Sequence, residues 1–347
     1  MQRRIIPAAT VTLLLLACQD PVGPSRESSS PQSDLPTEFA ISATESPSFA
    51  AVANTWRTKA PMPEPLWAHA AGVIPASNGD QIIYVAGGYT GNAAIRVPNV
   101  YAYNTRTDTW SKSASLPFGR AETNGAVPIG GKLYVSGGIG DGVGILNDLS
   151  VYTPSTNTWV KKRPMPNRVY QGSSAAMGGK LYVLHGYCDD CATVVSKQLW
   201  RYDPATNLWT RMRAAPQPHV SAASGVINGK WYVAGGGSGN GSRKLDMYDP
   251  KTNTWTEKAT MPAGHWGGAG AVLGQKLYVI GGYDPSTLQY LNTVHVYNPA
   301  TNTWATRASM PTPRSNLVAV KAVRNGNAVL YALGGGPPTA VNEEYDD

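Results

Sequence analysis

A tyrosine–tryptophan spacing recurs along the chain and limits what it can fold into. Tyr103, Tyr152, Tyr202, Tyr248 and Tyr297 are each followed seven residues later by Trp110, Trp159, Trp209, Trp255 and Trp304. Apolar runs ending in Gly-Gly precede them at Gly87-Gly88, Gly137-Gly138, Gly235-Gly236 and Gly281-Gly282, with a degenerate His185-Gly186 in the third place. A sixth copy starts near Arg314, passes Gly334-Gly335 and stops at Tyr345-Asp346-Asp347, short of its tryptophan. The tryptophans are about 50 residues apart. A period of that size means stacked supersecondary units, none of which can bury its apolar face alone.

Each unit reads as strands. Lys132-Leu-Tyr-Val-Ser136 and Lys276-Leu-Tyr-Val-Ile280 are short, glycine-bounded and rich in β-formers. Tyr202-Asp-Pro-Ala-Thr-Asn-Leu-Trp209 and Tyr297-Asn-Pro-Ala-Thr-Asn-Thr-Trp304 read as hairpins, because Pro presets φ and Asn tolerates the left-handed region. Composition agrees: 37 Gly and 27 Pro in 347 residues exceed the roughly 24 and 17 of average usage, and 15% charge is too little for long solvated helices, coiled coils or disorder.

Over residues 54–347 the chain resembles the kelch-repeat family. The resemblance implies an all-β, six-bladed kelch β-propeller with four strands, a to d, in each blade. Strand a precedes a small a–b turn (Gly130-Gly131, Asn228-Gly229), b ends at Gly-Gly, c ends at the tyrosine and d holds the tryptophan. The strand d missing from the sixth unit lies at the other end of the repeat region, in Asn54-Thr-Trp56-Arg-Thr58. An N-terminal strand around Trp56 is expected to complete the last blade and close the ring, leaving no exposed edge. The repeat tryptophans are read as structural, filling space between blades.

The first residues read differently. Met1-Gln2-Arg3-Arg4 is a basic head and Ile5 to Ala17 an apolar stretch of signal-peptide length, too short to span a bilayer. It ends in Leu15-Leu16-Ala17-Cys18, which resembles the lipobox of bacterial lipoprotein signals, with Leu16 departing from the usual small residue. The expected organisation is a signal peptide over 1–17, a lipidated Cys18 heading a Ser/Pro-rich tether over 18–53, and the propeller over 54–347. That places the protein in the bacterial cell envelope, membrane-anchored and facing the periplasm or the exterior. The tether carries five acids and one base, whereas residues 54–347 keep 26 of the 29 bases and 17 of the 22 acids, a net +9. Such a body favours anionic partners. The bases are spread along its length, without the clustered patch of a nucleic-acid binder.

The d–a and b–c connections share one face of such a ring, and it is there that they vary, where sites are usually built on a rigid scaffold. Counting back from strand b, Trp67, Arg120, Arg168 and Arg314 fall in one register, His219 and His265 in the next, and His69, Glu122, Tyr170, Trp266 and Asn316 in a third. The expectation is a ligand-binding rim of these eleven residues: arginine forks for carboxylate or sulfate, and aromatic faces for sugar rings or apolar side chains. Glu122 with His219 or His265 is the candidate acid/base pair, although no motif fixes its geometry. The b–c loops add Tyr89-Thr90, Asp141, Tyr187 to Cys191, Ser238 to Ser242 and Tyr283-Asp284.

Cys188 and Cys191 are read first as a loop disulfide, with a metal site or free thiols as the alternatives; of further metal ligands only His185 is local. No P-loop, GxGxxG, HExxH or GxSxG occurs, and no cofactor is expected. Two functions remain open. One is a binding module for a glycan, peptide or protein. The other follows from a likeness to bacterial six-bladed kelch epimerases acting on sialic acid, and would be a cofactor-independent sugar-acid epimerase or isomerase.

Overall fold

A computed structural model describes residues 54–92, 95–237 and 241–347. The expected signal peptide, Cys18 and tether lie outside the described residues, as do Ser238, Gly239 and Asn240 of one b–c loop. The described part is built of six four-stranded antiparallel sheets, with small accessory ribbons at the loops. Among the described residues the only helical segment is a short 3-10 turn at Pro154–Thr156.

The first five blades take their strands in chain order; the second, for example, is Ala126–Ile129, Lys132–Ser136, Leu149–Thr153 and Thr158–Lys162. Burial explains the composition of each strand. Strand b lies in the middle of its sheet, so Leu133 to Ser136 are all buried. Strand d lies outermost, and in Thr158–Lys162 only Trp159 is partly buried. In the sixth blade Val318–Arg324, Asn327–Leu333 and Asn342–Asp346 are completed by Thr55–Thr58, with Trp56 opposite Tyr345. The N-terminal strand therefore supplies the missing strand d, as the sequence led one to expect.

The seam carries the same clamp as blade 2. In blade 2 the Tyr152 hydroxyl donates to Asn157 Oδ1 (2.8 Å), which also accepts the Ala114 N–H (2.8 Å), while Trp159 Nε1 donates to the Ala114 carbonyl (2.8 Å). Ala114 directly follows strand d of blade 1. Tyrosine, turn residue and tryptophan thus form one clamp on the preceding blade. At the closure Asn54 Oδ1 accepts the Tyr345 hydroxyl (2.8 Å) and the Ala308 N–H (2.7 Å), and Trp56 Nε1 donates to Ala308 (2.9 Å). The turn residue has to sit at positive φ (Asn157 at 50°, Asn54 at 67°), which is why asparagine recurs there. Core clusters likewise straddle neighbouring blades: Ile74, Tyr84 and Ala102 of blade 1 pack on Leu133, Val135 and Tyr152 of blade 2.

Candidate functional site

Where each chain segment enters strand a, one residue per blade sits in the left-handed region: Ala68, Glu122, Gln171, Ser221, Gly267 and Asn316, at φ from 49° to 65°. Their main chains bond head to tail. Glu122 N donates to Ala68 O (2.9 Å), Gln171 N to Glu122 O (2.9 Å), Ser221 N to Gln171 O (2.8 Å), Gly267 N to Ser221 O (3.0 Å), Asn316 N to Gly267 O (2.7 Å) and Ala68 N to Asn316 O (2.8 Å). This circle of six hydrogen bonds encloses the axis at the mouth. Residues that follow it, among them His69, Thr123, Ser173, Ala222, Gly268 and Leu317, line a central channel of about 820 Å³.

The circle also sets the true register between blades, and it differs from the sequence count. Two residues before it stand Leu66, Arg120, Val169, His219, His265 and Arg314, all buried at 0–2% exposure. Counting back from strand b misaligned them because the count ran through a–b turns and strand ends of unequal length. Their side chains enter the blades rather than the rim. Arg120 pairs with Asp148, His219 Nε2 meets Asp246 (2.9 Å), and Arg314 Nη1 lies 2.9 Å from Glu343. His265 Nδ1 bonds the Gly281 carbonyl (2.7 Å), and its ring stands edge-on to His295. Leu66 and Val169 fill the same slot with hydrocarbon. Burial pulls both guanidinium pKa values down, against the pull of their carboxylate partners.

Arg120, Arg314, His219 and His265 are therefore interior posts and not ligand-facing groups, a correction to the expected rim. His219 and His265 are likewise removed as acid/base partners of Glu122. His69, 5% exposed, lies beneath the circle, and burial with the Arg314 charge pushes its pKa down to about 3. Arg168 is exposed, but Asp189 (3.4 Å) and Asp190 (3.7 Å) engage it.

What the fold does bring to the mouth is aromatic. In the position just before the circle, blades 1, 3 and 5 carry Trp67, Tyr170 and Trp266, and the other three carry Ala121, Val220 and Ser315. Each of the three aromatics faces a tyrosine that follows the second glycine of strand b: Trp67 opposite Tyr89, Tyr170 opposite Tyr187, and Trp266 opposite Tyr283. Ring centroids are 4.4 Å apart in the first pair and 5.1 Å in the stacked second; Tyr283 also meets Tyr290 at 5.5 Å. An aromatic residue and a tyrosine thus stand opposite each other at every second blade, with their rings in contact at blades 1 and 3 and joined by main-chain bonds at blade 5.

Polar groups lie between them. Glu122 is half-buried, and desolvation raises its carboxyl pKa, opposed by hydrogen bonding from Gln171 and Tyr89 and by the charge of Arg96. Arg96 lies over the Tyr89 ring at 5.3 Å. Asn316 and Trp67 join Asn92, Tyr290, Pro337 and Pro338 around a cleft of about 170 Å³. Arg96, Gln171 and Tyr290 escaped the sequence reading. Arg96 and Tyr290 sit in b–c segments without a repeat position, and Gln171 emerges only once the circle supplies the alignment. Among the described residues, Cys188 and Cys191 form a disulfide.

These features define a closed propeller of six four-stranded blades with an aromatic-lined mouth on its d–a/b–c face. The chain belongs to the kelch-repeat family: the KLHDC2/KLHL20/DRC7 Kelch-repeats domain matches residues 48–218, and the Kelch motif matches 218–262 and 267–311. It is 36% identical to human Kelch-like protein 35 over 104 residues, covering 30% of this chain and 17% of that protein. It is 29% identical to human Kelch repeat and BTB domain-containing protein 12 over 167 residues, 42% of this chain and 26% of that protein. The chain thus matches about a fifth of the length of these relatives. A solved structure described as "Structure of YjhT" superposes with a TM-score of 0.67 at 21% identity, covering 82% of this chain and 95% of that one.

Proposed function

We propose that the protein is an envelope-tethered binding module whose d–a/b–c mouth takes a glycan, peptide or protein, and that a carbohydrate fits best. The observation that carries this reading is the set of aromatic pairs at blades 1, 3 and 5, with Glu122, Gln171 and Asn316 on the circle between them. Aromatic faces offer apolar area to sugar rings, and a few placed polar groups then fix orientation. Arg96, over the Tyr89 ring, offers a cation that the buried Arg120 and Arg314 do not, so an anionic ligand would be drawn to blade 1.

A glycan and peptide screen on the full chain tests this. Trp67→Ala and Tyr170→Ala should each weaken a captured glycan by about 1–2 kcal/mol, roughly 5- to 30-fold. Binding that survives both changes together, in a protein with unchanged melting, would remove the mouth as the site.

A second reading has one observation in its favour. Glu122 has a carboxyl poised above its usual range beside the Tyr89 hydroxyl, which suits proton transfer in a cofactor-independent sugar-acid epimerase or isomerase of the N-acetylneuraminate type. Acceleration of N-acetylneuraminate anomer exchange, followed by proton NMR and abolished by Glu122→Gln, would favour it. Exchange at the buffer rate would exclude it.

A further inference from the structure

Blade 3 breaks the repeat at a position where the other blades have a steric reason to keep it. In five blades the second glycine of the strand-b pair donates its N–H to the next blade: Gly88 to Arg120 O, Gly138 to Val169 O, Gly236 to His265 O, Gly282 to Arg314 O and Gly335 to Leu66 O, at 2.7–3.0 Å. A Cβ on the first glycine would meet that same carbonyl at 2.3 Å for Gly87, 2.4 Å for Gly137 and 2.3 Å for Gly334. Among the described residues Gly186 makes no such bond to His219, and the first position is His185. Blade 3 has relinquished one inter-blade hydrogen bond and placed a fully buried imidazole there.

That imidazole faces sulfur. His185 Nδ1 lies 3.9 Å from Cys191 Sγ and 3.3 Å from Ser196 Oγ, and Nε2 has no partner among the described residues. The ligand atoms of His185, Cys188 and Cys191 all lie within 4.8 Å of one another. Around a tetrahedral zinc with bonds of about 2.0–2.3 Å, ligand atoms stand about 3.3–3.8 Å apart; the 3.9 Å from His185 Nδ1 to Cys191 Sγ is already near this, and the two sulfurs can reach it once the bond between them is cleaved. A disulfide needs no histidine beside it, and an apolar residue would fill the slot without burying an unpartnered ring nitrogen.

We propose that the Cys188–Cys191 disulfide covers a redox-gated Cys2His site for zinc or a similar soft divalent cation. A dithiol reductant supplies two electrons and two protons, cleaving the S–S bond to two thiols and leaving as its own disulfide. The metal then binds two thiolates and the His185 imidazole, the two thiol protons pass to solvent, and the fourth position takes water. Cys191 is only partly buried, which gives the reductant access. Zinc with two thiolates is neutral, so burying the loaded site adds no net charge.

The test uses the full chain carrying Cys18→Ser, so that Cys188 and Cys191 are its only cysteines. The reduced protein should take up one zinc per chain and show thiolate-to-cobalt charge-transfer absorption with cobalt, whereas the oxidised protein takes up neither. His185→Gly restores the residue used by the other blades, so the fold tolerates it; zinc affinity of the reduced variant should fall at least about tenfold. Reduced protein that binds no zinc overturns the proposal. So does a His185→Gly variant that binds as tightly as the parent, since the thiols alone would then hold the ion.

Discussion

An Arg314→Leu substitution separates the interior role of this guanidinium from any role in binding. Arg314 is 0% exposed; its Nη1 lies 2.9 Å from Glu343, itself 2% exposed, and its Nη2 donates to the Ala332 carbonyl at 3.0 Å. Among the described residues, leucine leaves Glu343 buried with only the Thr312 hydroxyl, at 2.8 Å, to stabilise it. Breaking a buried pair from one side costs about 3–5 kcal/mol, because a charge is left without compensation. At about 2–4 °C per kcal/mol for a domain of this size, melting should fall by about 6–20 °C. The structure also names the cure. Blades 1 and 3 fill the same slot with Leu66 and Val169, so the double variant Arg314→Leu/Glu343→Leu makes blade 6 apolar as well. It should return to within about 1–2 kcal/mol of the parent, as buried pairs replaced by hydrocarbon often do. Urea unfolding of the three proteins, alongside binding of any captured glycan, reads both quantities. A single variant as stable as the parent would refute the buried-post argument, and a stable double variant that no longer binds would return Arg314 to the ligand.

Three other perturbations test the fold and the mouth. Deleting residues 54–62 removes strand d of blade 6 with its Trp56 and Asn54 clamps, and should abolish cooperative unfolding by circular dichroism; a melt like that of the full chain would refute closure at this seam. His69 and His295 are held neutral by burial, with pKa values pushed from 6.5 down to about 3 and about 4, aided by Arg314 and His265 respectively. Unfolded chains bind more protons than folded ones between those values and 6.5, so stability should fall as pH drops below about 6, by up to about 1.4 kcal/mol per pH unit for each ring; a flat urea midpoint from pH 7 to pH 4.5 would contradict this. Glu122 has the opposite sign: its pKa is raised, so its cost appears as pH rises through the folded value. Glu122→Gln should therefore raise the melting point at pH 8 and leave it unchanged at pH 4, and an equal shift at both would deny the burial penalty.

The scaffold was legible because its chemistry repeats. A tyrosine hydroxyl, a left-handed turn residue and an indole N–H act together on the preceding blade, so each copy of the motif reports the same junction, and Trp56 with Asn54 could be recognised as the displaced sixth copy. Even Asp108 fits once its setting is known. It takes the asparagine's place in the clamp, accepting the Tyr103 hydroxyl (2.6 Å) and the Ala60 N–H (2.9 Å), and its extra charge is met by Lys59 at 2.8 Å.

The mouth was harder to read because residue type and residue direction separate there. Arg120 and Arg314 look like rim cations in a sequence, yet the left-handed residue two positions later turns the chain so that their side chains enter the blade. That residue has no compositional signature: Ala, Glu, Gln, Ser, Gly and Asn all occupy it, because what holds it is a circle of main-chain bonds and not a side chain. Only with the circle as origin do Trp67, Tyr170 and Trp266 line up as one position in alternate blades, each across from the tyrosine that follows the second residue of the Gly-Gly position. Arg120 and Arg314 thus belong to the scaffold, while Trp67, Tyr170 and Trp266 stand next to the circle. With aromatic residues at three of the six blades and Arg96 lying over one of their rings, the affinity of a ligand captured at this face should depend far more on ring stacking than on salt.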